Sequence, residues 1–140
     1  MKKIFIASDH AGYKLKKCII LKFAKTKEIV DLGPNSSISV DYTDYAKKLS
    51  RKIVSNKGSF GILVCGSGMG MAITANKIKN IRAALCYSNK NTKLSRLHNN
   101  ANIITLGERL ISKNKAINLI KIFLRTKFEG GRHLRRIKKM

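Results

Sequence analysis

The sequence predicts an α/β protein with a parallel sheet of five strands and helices on both faces. Five short apolar runs alternate with longer amphipathic stretches along the chain, and this alternation is typical of right-handed βαβ crossovers. The run Phe60–Cys65 (FGILVC) is apolar at neighbouring positions, as in a central strand that is buried on both faces. No internal repeat or linker interrupts the pattern, so residues 1–140 are expected to form one domain.

The individual elements follow from the spacing of the apolar residues. The run Lys3–Ala7 predicts a buried first strand, and Tyr13–Lys25 predicts a helix because Leu15 and Ile19 recur on one helical face. By the same criteria, further strands are predicted at 28–32, 60–65, 81–86 and 102–106, and further helices at 42–55, from the glycine-rich turn 66–70 to about 77, at 89–99 and at 112–126. A basic tail, 127–140, completes the chain.

The net charge of the chain points to anionic partners but does not identify one. The chain carries 30 Lys and Arg residues against 7 Asp and Glu residues, a formal net charge of +23. A basic nucleic-acid-binding module is therefore one alternative function. The basic residues are scattered from Lys2 to Lys139, however, and aromatic residues are not interleaved with the arginines. The charge predicts non-specific adhesion of polyanions at low salt rather than specific recognition of nucleic acid.

The cysteines and the start of the chain predict a cytoplasmic protein. Cys18, Cys65 and Cys86 form no CxxC pair and no metal-ligand spacing. Their odd number argues against a disulfide framework, so we expect reduced thiols, with Cys18 and Cys86 in the core. The first apolar run ends at Ala7, too early for a signal peptide, and no run has the length of a membrane span.

Ligands of open parallel sheets bind beyond the carboxyl ends of the strands. This rule selects four segments, which are 8–10 (SDH), 41–42 (DY), 65–68 (CGSG) and 107–109 (GER). Asp9 is also a plausible cap of the helix that follows it. We therefore expect the site at this edge of the sheet.

The glycine-rich turn after the third strand predicts an anion-binding loop. Gly66, Gly68 and Gly70 follow a strand and open a helix, where backbone N–H groups converge on negative charge. The dinucleotide fingerprint GxGxxG is not completed, because position 71 is Met71, and no GK[ST] sequence of a P-loop follows. A tight turn without a ligand is the alternative.

Three further groups could carry chemistry. Cys65 ends the third strand against a helix start, a position that can favour a thiolate base or nucleophile, although a core cysteine is equally consistent with it. His98, near a helix end, is either a catalyst or a solvated cation that interacts with the helix dipole. Arg132 and Arg136 are four residues apart and would share one face of a helical turn, suited to binding one phosphate. A disordered basic terminus is the alternative for these two arginines.

Taken together and in order, these segments resemble the ribose-5-phosphate isomerase B family, which also includes the galactose-6-phosphate isomerase subunits. The resemblance covers essentially the whole chain. The matching segments are IASDHAGYKLK at 6–16, DYTDYA at 41–46, GILVCGSGMGMAITANKIKNIRAALC at 61–86, SRLHNNAN at 95–102, LGERLI at 106–111 and FEGGRHLRR at 128–136.

The resemblance implies a three-layer α/β/α sandwich with a Rossmann-like sheet. It also implies an aldose–ketose isomerase of the non-oxidative pentose phosphate pathway that interconverts ribose 5-phosphate and ribulose 5-phosphate, without a metal or organic cofactor. By similarity, Cys65 is the base that moves a proton between C2 and C1 through an enediolate. His98 is the acid that opens the sugar ring, and Asp9 and Ser67 assist ring opening or bind hydroxyls.

The resemblance further implies the substrate contacts and an oligomer. The implied substrate-binding residues are His10, Tyr42, Gly66, Gly68, Met69, Gly70, Asn99, Arg109, Arg132 and Arg136. Of these, His10 and the three arginines match the phosphate site. Family members are dimers, often dimers of dimers, with active sites at the subunit interface, so His98, Asn99 and Arg109 are candidates to complete a neighbour's site.

Two positions depart from the family pattern, and a third distinguishes two branches of the family. Ser67 stands where Thr is common and keeps the hydroxyl, and Thr43 stands where Pro is common. One branch of the family uses a Glu near position 71 as the base, and Met71 places this chain with the cysteine branch. An isomerase of allose 6-phosphate or galactose 6-phosphate remains the alternative within the same class.

Overall fold

The sheet has five strands, all parallel, as predicted. The computed structural model describes residues 2–140. The strands are β1 (Ile4–Ser8), β2 (Ile29–Asp31), β3 (Phe60–Cys65), β4 (Ala83–Leu85) and β5 (Ile103–Gly107). Their order across the sheet is β2-β1-β3-β5-β4, so the most apolar run is the central strand. The expected α/β/α fold is confirmed.

Six helices cover the described part of the chain. They are α1 (Tyr13–Phe23), α2 (Tyr42–Ser55), α3 (Met69–Ala75), α4 (Asn89–Leu97), α5 (Lys113–Arg125) and α6 (Arg132–Ile137). One buried cluster joins α1 and α5 to one face of the sheet, and a second joins α2 and α3 to the other. Alternate residues of β3 serve the two clusters: Val64 packs into the first and Leu63 into the second. This double packing explains why β3 shows no polar alternation.

Serine side chains cap the starts of α4 and α5, and α4 ends earlier than predicted. The Ser88 hydroxyl accepts a hydrogen bond from the Asn91 N–H and forms a capping box that starts α4. Ser112 accepts the Lys115 N–H and starts α5. The helix predicted to end at residue 99 ends instead at Leu97, with His98 as its C-cap. This shorter helix leaves His98 and the residue after it at a chain turn.

Lys16 and Cys18 differ in burial from what their residue types predict, whereas Cys86 does not. Lys16 is fully buried, and its ammonium group donates to Asp31 Oδ1 at 2.8 Å and to the carbonyl of Pro34 at 2.5 Å, contacts that satisfy the charge. Cys86 is buried as expected, and burial raises the pKa of its thiol. Cys18, by contrast, is only half-buried, so its placement in the core was wrong.

The basic tail folds back on the protein. Its final segment forms α6, and the Glu129 N–H donates to the carbonyl of Leu97 at the end of α4, at 3.1 Å. Between residues 2 and 140, no helix combines the length and the apolar character needed to cross a membrane.

Candidate active site

Strand register brings the predicted groups to one edge of the sheet. Ser8 pairs with Val64 across β1 and β3, and Cys65 pairs with Gly107 across β3 and β5. The residues that follow these strand ends therefore meet at one level, where parallel sheets bind ligands. A cavity of about 390 Å³ opens there. The predicted site residues that line it are Asp9, His10, Tyr42, Cys65, Gly66, Ser67, Gly70 and Arg109.

The glycine loop wraps around the thiol of Cys65. Cys65 is 4% exposed, and the N–H of Gly68 donates to its Sγ at 3.1 Å. Gly68 has φ +76°, and a Cβ there would lie 2.7 Å from Leu85 Cδ1. Only glycine fits this turn, and the turn aims the amide at the sulfur.

Tyr42 packs on the other side of the loop. A Cβ at Gly70 would lie 2.6 Å from the Tyr42 ring, so the absence of a side chain allows this close approach. Met69, which begins α3, donates its N–H to the Ser67 hydroxyl at 3.2 Å and leaves its own side chain half-exposed. The loop is therefore held by contacts on both sides.

Backbone hydrogen bonds attach the loop that carries Arg109 to the glycine loop. The N–H of Glu108 donates to the carbonyl of Cys65 at 2.9 Å, and the N–H of Arg109 donates to the carbonyl of Gly66 at 3.0 Å. The Arg109 guanidinium lies directly over Gly66, 3.0 Å from the position of a Cβ. These bonds hold a cation over the glycine loop, in the lining of the cavity that Cys65 also lines.

Asp9 and His10 complete this edge. Asp9 is buried, and its Oδ1 accepts the N–H of Gly12 at 3.0 Å at the start of α1. The exposed ring of His10 is anchored through Nδ1, which lies 3.2 Å from the N–H and from the carbonyl oxygen of Val40. Asp9 and His10 both line the cavity.

The other predicted groups form a second cluster around the end of α4. His98 caps α4, and its ring stacks on His133 with centroids 4.2 Å apart and planes 13° apart. Asn99 follows and is exposed. In α6, Arg132 and Arg136 are exposed one turn apart, so they share a helix face. This cluster brings two stacked imidazole rings near two exposed guanidinium groups.

The two clusters lie at opposite edges of the sheet. Arg82, which directly precedes β4, donates from Nε to the carbonyl oxygens of Asn99 and Asn100 at 3.0 and 3.1 Å. His98 is thus next to the amino end of a strand, whereas Cys65 is at a carboxyl end. A strand of this length separates them by on the order of 15 Å. Within residues 2–140, the cavity lining contains neither His98 nor the α6 arginines.

Sequence reasoning did not select three residues that the structure places at these clusters. Ala11 and Leu110 line the cavity, and only their neighbours Asp9, His10 and Arg109 signalled them. His133 was overlooked beside the two α6 arginines. Its position between Arg132 and Arg136 was the available signal.

The fold and the cavity define a class of protein, an α/β/α sandwich that binds a small molecule at the carboxyl edge of a parallel sheet. A family model described as Ribose/Galactose Isomerase matches residues 4–140. The chain belongs to this family and is an isomerase, which confirms the resemblance seen in the sequence.

Relatives and solved structures agree with this assignment. The chain is 46% identical to a probable ribose-5-phosphate isomerase B of Mycoplasma genitalium, over 98% of this chain and 92% of the relative. It is 36% identical to ribose-5-phosphate isomerase B of Escherichia coli, over 98% and 93% of the two chains.

Among solved structures, a ribose 5-phosphate isomerase of Thermotoga maritima has a TM-score of 0.95 at 50% identity, covering 99% of this chain and 96% of the other. The Mycoplasma genitalium enzyme, solved with bound ribulose-5-phosphate, has a TM-score of 0.93 at 44% identity, covering 98% and 92%.

Proposed function

We propose that the protein interconverts ribose 5-phosphate and ribulose 5-phosphate through a cis-enediolate, with Cys65 as the base. The observation that carries this proposal is a thiol that lines the cavity and accepts the Gly68 N–H at 3.1 Å. That N–H also stabilises negative charge on the sulfur. The names of the relatives supply the substrate class.

The proposed reaction moves one proton along one face of the sugar. The Cys65 thiolate removes the proton from C2 of the open-chain aldose, and the C2–H electron pair forms the enediolate double bond. The same sulfur returns the proton to C1, and a proton moves from O2 to O1 to complete the ketose. Amides of the loop 66–70, together with Ser67, face the charge that develops on the oxygens. Asp9 binds a sugar hydroxyl.

Ring opening and phosphate binding require the second cluster. We assign His98 as the acid that protonates the ring oxygen, Asn99 as a contact to sugar oxygens, and Arg132 and Arg136 as phosphate ligands. His10 and Arg109 line the Cys65 cavity and bind the phosphate from that side.

Because the clusters lie at opposite edges of one sheet, a second copy of the chain must supply the missing half. Large apolar side chains near the cavity are exposed in the single chain: Met69 by 50%, Ile73 by 64% and Leu110 by 62%. Such exposed apolar groups are typical of a surface that another subunit covers. We therefore propose a homodimer, or a dimer of dimers, with each active site at the interface. The free thiols suit a cytoplasmic location.

Substrate preference tests the proposed function. Turnover of ribose 5-phosphate is compared with turnover of allose 6-phosphate and galactose 6-phosphate under identical conditions. The proposal predicts a clear preference in kcat/KM for ribose 5-phosphate, since an added carbon lengthens the distance between the reacting carbons and the phosphate. A preference for either hexose phosphate would contradict the proposal in favour of the alternative, an isomerase of that hexose 6-phosphate, and turnover of none of the three would refute the isomerase activity on these substrates.

A further inference from the structure

The stack of His98 and His133 is the most unusual side-chain contact outside the Cys65 cavity. The two rings are nearly parallel, with centroids 4.2 Å apart. His133 is 6% exposed, and its Nε2 has no hydrogen-bond partner within the described chain. A buried polar atom without a partner carries a desolvation cost. Its retention in the tail therefore calls for a role.

Several hydrogen bonds fix the tail against α4 and so fix the stack. The Glu129 N–H donates to the carbonyl of Leu97 at 3.1 Å, immediately before His98. Further back, Arg96 Nε donates to the carbonyl of Thr126 at 3.1 Å. The His133 N–H bonds the carbonyl of Gly130 at 3.1 Å. These hydrogen bonds hold the His133 ring against one face of the half-buried His98 ring.

The charge state of His133 is compatible with stacking of the two rings. Burial lowers the pKa of His133, and so do the nearby charges of His98, Arg132 and Arg136, whereas Glu129 opposes them. His133 is therefore neutral near pH 7. A neutral His133 places no imidazolium charge against the His98 ring, so stacking brings no repulsion between two charged rings.

A shared metal ion does not explain the contact. Ligand atoms of His98, Glu129 and His133 lie within 4.8 Å of one another. In nearly parallel stacked rings, however, the nitrogen lone pairs lie in separate parallel planes and do not converge on one ion. Arg132 and Arg136 add positive charge nearby. The arrangement fits ring stacking better than metal ligation.

We infer that His133 is a positioning residue that holds the His98 ring, by stacking, in the orientation needed to protonate the ring oxygen of a cyclic sugar phosphate. The inference rests on the proposed function, because it assigns His98 to ring opening. It predicts that replacing His133 lowers kcat/KM for cyclic substrates and leaves kcat/KM for open-chain substrates nearly unchanged.

Two substrates separate these steps. Ribose 5-phosphate is mainly a furanose, whereas its analogue without the 4-hydroxyl cannot close a furanose ring. His133→Ala should lower kcat/KM for ribose 5-phosphate about tenfold and leave the open-chain analogue within about twofold of wild type. His133→Phe keeps a flat ring and should retain most activity on both substrates. Equal losses on both substrates, or no loss on either, would overturn the inference.

A spectroscopic measurement tests the stack without relying on turnover. In the wild-type protein, the ring protons of His98 should show an upfield NMR shift from the neighbouring ring. The shift should disappear in His133→Ala and persist in His133→Phe. A His98 spectrum that is unchanged in His133→Ala would refute the stack even if the protein had a different substrate. Wild-type turnover of ribose 5-phosphate tests the proposed function separately.

Discussion

The two edges of the sheet hold their functional groups in different ways. At the carboxyl edge, Cys65, Gly68 and Arg109 are connected by backbone hydrogen bonds and by a bond to the sulfur. At the other edge, His98 and the α6 arginines depend on a docked tail and on side-chain contacts. The groups of the first edge are fixed by the backbone, whereas the second edge presents charged side chains outward. This difference suits the proposed division of work, in which proton transfer by Cys65 takes place at the first edge and ring opening by His98 uses the second.

Removing the thiol should have the largest effect. Cys65→Ala deletes the proposed base, and we expect kcat to fall by about a thousandfold or more with the fold intact. Steady-state kinetics and a thermal melt measure the two effects.

Cys86→Ala is the matched control, because Cys86 is also a buried thiol but does not line the Cys65 cavity. It should keep near-wild-type turnover. Comparable activity in Cys65→Ala and Cys86→Ala would show that Cys65 is not the base. The proposed difference between the two edges of the sheet would then be wrong.

Losing one arginine of the second edge should have an intermediate effect. Arg132→Ala or Arg136→Ala removes a proposed charge-assisted contact to phosphate, so we expect substrate binding to weaken about ten- to a hundredfold. Binding to the Cys65→Ala background, measured by calorimetry, isolates affinity from chemistry.

Arg135 provides the control within the same helix, since it is also exposed but is rotated by about 100° around the helix axis from residue 136 and by about 60° from residue 132. Arg135→Ala should bind substrate nearly normally, and the melting temperature should change little in all three variants. An equal loss in Arg135→Ala would show that α6 contributes only general positive charge.

The smallest expected effect is the pH dependence of tail docking. Burial lowers the pKa of His133 in the folded protein, so the unfolded state binds a proton more readily than the native state. Stability from this group is complete above the unfolded pKa of about 6.5 and decreases as the pH falls below it.

Urea unfolding at about pH 7.5 and about pH 5.5 measures this effect. His133→Phe cannot titrate at this position, and its stability should fall less than that of wild type over the same interval. Identical losses in the two proteins would show that His133 does not couple the tail to pH.

The sequence was most informative where backbone topology decides the outcome. Consecutive apolar residues in Phe60–Cys65 predicted the central strand, and the rule for carboxyl ends placed Asp9, Cys65 and Arg109 at one edge. Both predictions depend only on strand direction and burial. They required no knowledge of side-chain partners.

Predictions that depend on long-range side-chain contacts were less successful. Lysine is ordinarily a surface residue, but Lys16 is buried, where Asp31 and the Pro34 carbonyl accept hydrogen bonds from its ammonium group. His133 acquires its environment from a ring 35 positions earlier in the chain. The separation of His98 from Cys65, by contrast, was available from the sequence: a helix that joins two parallel strands returns to the amino edge of the sheet, so His98 at its end lies away from Cys65.

The most direct test of the account asks whether two chains share one active site. Cys65→Ala and His98→Ala chains, carrying different tags, are coexpressed and the mixed dimer is purified. One of its two sites then combines an intact Cys65 with an intact His98 from the other chain. We predict that the mixed dimer recovers about half of the wild-type turnover, although each parent is nearly inactive. A mixed dimer as inactive as its parents would contradict the shared site.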